Sequence, residues 1–261
     1  METKKPKILF YDIETTPLLA YIWKPGKQFV GHKQLHRDRS MYNIICITYC
    51  WNDGKPAKAF VWDYKTQDCT KAIEKFDALA RKADVVIGKN SDRFDVKHIN
   101  TQRLFNGIAP FPEWADSRDD LEKQMRKHFA LPSQALDYVS NQLKLGGKIK
   151  MELQDWIDIV EQRGKAGRDA FKKMVQYGLK DIEDTRTIWN YVESHIAPKF
   201  NAATNADALV CTVCGSGDIS SSGSKISGKS RYKYYFCNSH GGKAGRRTMD
   251  KYGNATGKMG V

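Results

Sequence analysis

Four small groups of residues in this 261-residue chain have types and spacings that could hold a metal ion. The first is Asp12-Ile13-Glu14, which ends the apolar run Ile8-Leu9-Phe10-Tyr11. Alternation along a strand turns residues i and i+2 to one face, so both carboxylates can meet one cation. In a buried strand two neighbouring carboxylates are costly unless a positive charge compensates them. Asp-x-Glu recurs at Asp120-Leu121-Glu122 and Asp181-Ile182-Glu183, so the position at a strand end matters more than the tripeptide. The second group is Asn90-Ser91-Asp92-Arg93-Phe94-Asp95, after the apolar Val85-Val86-Ile87-Gly88. A helix-capping aspartate is the plain alternative there, and Asp92 rivals Asp95. The third is Tyr177 with Asp181, a helical i, i+4 pair on one face. Its alternative is a core tyrosine with its hydroxyl at the rim.

The fourth group is soft rather than hard. Cys211-Thr212-Val213-Cys214 and Cys237-Asn238-Ser239-His240 are two knuckles with C-x2-C and C-x2-H spacing. Four such ligands in two close pairs suit one tetrahedral, structural Zn²⁺. Free thiols in a loose tail are the alternative. Cys46, Cys50 and Cys69 lie in or beside apolar segments and read as ordinary reduced thiols.

The elements that must position these groups follow from periodicity. Lys7–Ile13 reads as a strand, Thr15–Met41 as a long polar loop, and Asn43–Trp51 and Ala59–Trp62 as a hairpin around Asn52-Asp53-Gly54. Thr70–Arg81 is an amphipathic helix through Ile73, Phe76, Leu79 and Ala80, and Val85–Gly88 a buried strand. A helix opens at Asp95, with Ile99 and Leu104 inward, and stops at Asn106-Gly107. Helices are also expected at Asp119–Phe129 and Leu136–Leu143, whereas Gly146–Arg168 has no clear period. A long helix over Asp169–His195 shows an apolar face of Phe171, Met174, Leu179, Ile182, Ile188 and Val192. A hairpin followed by alternating helices and strands makes residues 1–197 a mixed α/β domain. Residues 198–209, rich in Ala and Asn, read as a linker, 210–240 as the zinc module with a serine-rich loop at Ser220–Ser224, and 241–261 as a basic flexible tail.

Taken in order, the first three groups resemble the motifs of the DEDD superfamily of 3′–5′ exonucleases, over about residues 7–195. Phe10-Tyr11-Asp12-Ile13-Glu14-Thr15 resembles the first motif, Ile87-Gly88-Lys89-Asn90 through Phe94-Asp95 the second, and Tyr177–Asp181 the third in its tyrosine subtype. The histidine subtype needs His five residues before the last Asp, where this chain has Gln176, or Leu179 counted from Asp184. The pattern is similar to stand-alone members from bacteria and their phages, and to the proofreading domains of family B polymerases. The resemblance implies a ribonuclease-H-like mixed sheet flanked by helices. It implies two Mg²⁺ or Mn²⁺ ions, with Asp12 bridging them and Glu14 and Asp181 completing the site of the ion that holds the attacking water. Asp95 would support the second ion, Tyr177 would orient the water, and Asn90 would contact substrate. Hard carboxylate oxygens suit such ions on general grounds too.

Charge and composition set the remaining limits. The net charge of +13 favours a polyanionic partner. No run of about 18 apolar residues offers a membrane span, and the polar start Met1–Lys7 has no signal core, so a cytoplasmic protein is expected, in the host cytoplasm for a phage product. The Thr15–Met41 loop departs from the family pattern in its length. It mixes Lys24, Lys27, Lys33, Arg37 and Arg39 with Tyr21, Trp23 and Phe29, a composition that can hold a single strand by stacking and charge. A solvated surface loop is the alternative. Arg231-Tyr232-Lys233-Tyr234-Tyr235-Phe236 alternates in the same way between the knuckles, where Arg231 and Lys233 would meet substrate or a protein partner. The expectation is a metal-dependent 3′–5′ exonuclease acting on DNA rather than RNA, with a zinc ribbon. The rivals are an RNA exonuclease and a non-catalytic nucleic-acid adaptor.

Overall fold

The computed structural model describes residues 6–110, 118–146, 149–195, 209–227 and 230–260. Its larger sheet has five strands: β1 (Ile8–Thr15), β2 (Ile44–Trp51), β3 (Lys58–Val61), β4 (Val85–Gly88) and β5 (Arg118–Asp120), in the order β3-β2-β1-β4-β5. β1 runs antiparallel to β2 and parallel to β4. β2 is antiparallel to β3, and β4 parallel to β5. Continuous apolar sequence explains why β1, β2 and β4 are central: both faces of each are covered. This is a ribonuclease-H-like mixed sheet, as expected.

Helices α1 (Thr70–Ala80), α2 (Asp95–Asn106), α3 (Leu121–His128), α4 (Leu136–Gln142), α5 (Leu153–Val160) and α6 (Gly164–Val192) cover it. On one face Leu9, Tyr11 and Ile13 of β1 pack with Ile73 and Phe76 of α1, Ile99 of α2, Ile159 of α5 and Met174 of α6. On the other, Ile8 and Phe10 pack with Leu121 and Met125 of α3, Val139 of α4 and Ile182, Ile188 and Trp189 of α6. Asp12 and Glu14 continue the second set of β1 positions, so they share a face with the C-terminal half of α6.

Several expectations need correction. Arg118–Asp120 is a strand rather than the start of a helix, because Asp120 is spent on capping α3 by accepting from the Glu122 N–H. Leu104 is 77% exposed, since Ile99 and Val96 already fill the inward face of α2. The unplaced 146–168 segment contains α5, and α6 starts five residues earlier than its periodicity indicated, at Gly164. No described helix is long and apolar enough to cross a membrane.

A second, antiparallel sheet is built by β6 (Ile219–Ser227), β7 (Ser230–Cys237), β8 (Gly242–Met249) and β9 (Ala255–Gly260), in that order. The serine-rich stretch is therefore strand β6, and the expected flexible tail over 241–261 instead supplies β8 and β9. Cross-strand pairing and a small core of Val210, Cys211, Tyr235, Cys237, Ala244 and Met259 order it. The expected linker lies almost wholly outside the described residues.

Candidate active site and metal centre

Three elements converge on the end of β1. The Asp12–Thr48 cross-strand pair lies under α6 where that helix carries Gly178. A Cβ on Gly178 would stand 2.8 Å from Thr48 Cγ2, so only glycine lets the helix backbone come this close. Tyr177 and Asp181 flank that contact and reach the β1 carboxylates. α2 supplies Asp95 by a different route. β4 pairs with β1 only at Ile8, Leu9 and Phe10, and beyond that Asp95 Oδ1 accepts from the Ile13 N–H at 3.0 Å. The buried carboxylate thus takes the place of a missing strand.

These groups are electrostatically linked. Burial pushes the Asp12 carboxyl well above the ordinary range, and Asp95, Glu14 and Asp181 push it further, with Lys89 opposing. Asp95 is raised to about 7, by burial first, while the N–H groups of Asp95 and Ile13 and the charge of Lys89 pull it down and Asp120 adds to the rise. Tyr177 is raised by burial and then by Asp181, Glu14 and Asp12, and its phenol donates to Asp181. A phenol so placed stays protonated at neutral pH. The site gathers more negative charge than Lys89 offsets, and Lys89 is itself 3.1 Å from Glu122. Hard oxygen donors with surplus negative charge fit divalent cations such as Mg²⁺ or Mn²⁺.

The rival carboxylates are engaged elsewhere. Asp92 is ion-paired with Arg118 at 2.6 Å and Lys123 at 2.5 Å; burial alone would raise its carboxyl, but these cations bring it below the usual range. Glu183 accepts from the Ala57 N–H, and Asp184 pairs with Lys180. Asp120, unassigned from the sequence, accepts from the N–H groups of Asn90 and Asp92 at 2.9 and 3.2 Å and so fixes the β4–α2 turn. In that turn Asn90 has a left-handed backbone, φ 59°. Beside Tyr177 an open pocket of about 380 Å³ is lined by Lys150, Met151 and Trp156. Those three come from the stretch without a clear period, and no sequence signal marked them.

The fold has a counterpart among solved structures. The family B DNA polymerase from the hyperthermophilic archaeon Pyrobaculum calidifontis matches with a TM-score of 0.50 over 71% of this chain, at 13% identity. The likeness is one of fold. The matched part covers 25% of the polymerase chain. No protein-family model matches the sequence, and no curated protein does.

The cysteine centre is compact. One ligand atom from each of Cys211, Cys214, Cys237 and His240 lies within 4.8 Å of all the others. Cys214 Sγ is 3.6 Å from Cys237 Sγ, and Cys211 Sγ is 3.2 Å from His240 Nε2. Tetrahedral zinc with Zn–S and Zn–N bonds of about 2.3 and 2.0 Å needs such separations. Each knuckle closes through a glycine at positive φ, Gly215 at 72° and Gly241 at 69°, which donate to the carbonyls of Cys211 and Cys237. Burial pushes the Cys211 thiol up to about 12, so an ion held here must displace that proton. All six cysteines are free of disulfides, and the cluster could bind one zinc ion.

The basic loop has more order than a polar composition indicates. Leu19 and Tyr21 donate to the carbonyls of Arg39 and Gln34, His36 donates to that of Leu19, and Ala20 bridges to Leu35, so two arms are stitched into a flap. Its tip exposes Trp23 (98%) and Phe29 (91%) among exposed Lys24, Lys27 and Lys33. Arg37 is exposed too, while Arg39 faces Glu161 at 3.8 Å.

Proposed function

We propose that this chain is a two-metal-ion 3′–5′ exonuclease that acts on nucleic acid, single-stranded DNA ahead of RNA, and releases 5′-mononucleotides. The observation that carries the reading is the charge around Asp12: Asp95, Glu14 and Asp181 all raise its carboxyl, and Lys89 opposes them. Asp12, Glu14, Asp95 and Asp181 would hold two Mg²⁺ or Mn²⁺ ions, which supply a hydroxide nucleophile and stabilise a leaving oxygen when bound. Tyr177 keeps its proton, so its phenol orients a water and does not act as the base. The pocket of Lys150, Met151 and Trp156 beside Tyr177 has the apolar surface and the cation to seat a terminal nucleoside and its phosphate. The +13 net charge supports a polyanionic substrate.

The test uses DNA and RNA oligonucleotides labelled at either end, with Mg²⁺, Mn²⁺ or EDTA. A 5′-labelled strand should shorten stepwise, a 3′-labelled one should release labelled mononucleotide at once, and EDTA should stop both. Fragments cut from the interior would point to an endonuclease. No hydrolysis with either metal would overturn the proposal.

A further inference from the structure

The four strands of the C-terminal sheet contain seven Lys or Arg and no Asp or Glu. Alternation along β7 divides its residues between two faces. Tyr235 and Cys237 enter the small core beside the cysteine cluster, so Tyr232, Tyr234 and Phe236 take the opposite face. Their partners in the pairing register carry the cations. Tyr232 is opposite Lys225 of β6, Tyr234 is opposite Arg246 of β8, and Phe236 is opposite Lys243 of β8. The β8 bulge at Ala244, whose side chain is in the core, keeps Lys243 and Arg246 on the outer face together. Ring contacts agree with the assignment: Arg246 lies 4.4 Å from the Tyr232 ring, and Lys225 and Lys243 each lie 6.0 Å from that of Tyr234. Phe236 is 39% exposed, a large apolar ring left at a surface with no carboxylate in its strands.

We propose that this outer face of β6, β7 and β8 is a binding platform for an unpaired nucleic-acid strand. Bases stack on Tyr232, Tyr234 and Phe236, spaced two residues apart, while Lys225, Lys243 and Arg246 meet phosphates. Charge selects a polyanion, and the row of rings selects one whose bases are free to stack. Neither contact involves the 2′ position of the sugar, so DNA and RNA strands bind alike. A duplex hides its base faces and binds more weakly. The platform does not depend on the carboxylate chemistry, and its test involves no cleavage.

The test is fluorescence anisotropy of a labelled oligothymidylate on the full chain carrying Asp12→Asn, which keeps the probe intact without a chelator that would strip zinc. The Tyr232→Leu, Tyr234→Leu pair should weaken strand binding about tenfold or more, and leave binding of heparin, a polyanion without bases, within twofold. Lys225→Gln with Lys243→Gln should weaken both ligands and flatten the salt dependence. Arg231→Gln with Lys233→Gln removes the same charge from the other face and should leave the single-strand preference intact. Retained zinc shows that each variant is folded, and Phe236→Leu repeats the test if the tyrosine pair does not retain it. Strand affinity unchanged in the folded aromatic variants, or equal affinity for strand and duplex, overturns the proposal. An active nuclease with that result keeps its catalytic reading, and a dead one whose platform binds keeps this one.

Discussion

Asp12 and Asp95 carry protons in the folded chain at pH values where they would be ionised in the unfolded one. Such groups make stability fall as pH rises from the unfolded value, about 4, to the folded value, about 7 for Asp95. Below that window the penalty is absent, and above it the penalty is complete. The lowered carboxyls, Asp92 and Glu122 among them, act only at the acid end. In buffer without divalent ions, the urea midpoint should therefore drop between about pH 5 and about pH 8, and Mg²⁺ should recover it. Asp12→Asn removes one of the repelling charges, so it should flatten this dependence and raise the midpoint at the higher pH. It should also lower hydrolysis by on the order of a hundredfold or more, as loss of a charge-stabilising group does. A variant with wild-type pH dependence would argue against the repelling cluster. Tyr177→Phe is a separate case. On the proposed water-orienting role, loss of its hydroxyl should cut kcat by on the order of ten- to a hundredfold with KM nearly unchanged. A rise in KM alone would make Tyr177 a substrate contact instead.

Among the elements, α6 is placed by its one close approach to the sheet. Gly178→Ala puts a methyl group 2.8 Å from Thr48 Cγ2, which should cost about 1–3 kcal/mol and lift Asp181 away from Asp12. Thr48→Ser in the same chain removes the opposing methyl and should restore much of both stability and turnover, a non-additive pair. Simple addition of the two effects in a denaturation cycle would show that the contact does not set the helix position. How far these elements can be read from sequence depends on what stabilises them. β1, β2 and β4 are nearly continuous apolar runs and α1 has a helical period, so their positions follow, whereas α2 is bounded by Asp95 and Asn106-Gly107 more than by its period. β5 does not: its Arg118-Asp119-Asp120 is polar, and Asp119 and Asp120 are buried through hydrogen bonds to Gln124, Asn90 and Glu122. β6, β8 and β9 are rich in Ser, Gly and cations, and only pairing and the cysteine cluster reveal them as strands. The carboxylate site was legible as residue types. The motif resemblance already put Asp95 ahead of Asp92 through Phe94-Asp95, whereas the ion pairs of Asp92 with Arg118 and Lys123, distant in sequence, had no signal.

At the scale of the molecule, the α/β domain has two apolar layers of its own, and the C-terminal sheet has a separate small core. A chain ending near residue 195 should therefore fold and retain hydrolysis at saturating substrate. The segment beyond residue 195 holds ten Lys or Arg against three Asp. Its removal should weaken binding and flatten the log–log salt plot by about 0.7 for each single-strand phosphate that is no longer neutralised. Elemental analysis should find one tightly held zinc in the full chain and none in the shortened one. Equal affinity and salt slope for the two forms would assign the C-terminal sheet to a protein partner.

The flap also gives the protein an optical reporter. Trp23 is almost fully exposed, whereas Trp62 and Trp189 are 2% and 6% exposed. Iodide, which cannot enter a packed interior, should quench a red-edge component of the emission to which Trp23 contributes. An oligonucleotide stacked on the flap should shield that component and leave the buried indoles unchanged. Trp23→Phe should remove the flap's part of the shielded fraction and leave only what Trp156, beside the pocket, contributes. If iodide quenching is the same with and without a bound strand, the flap tip stays in solvent while the substrate is held elsewhere.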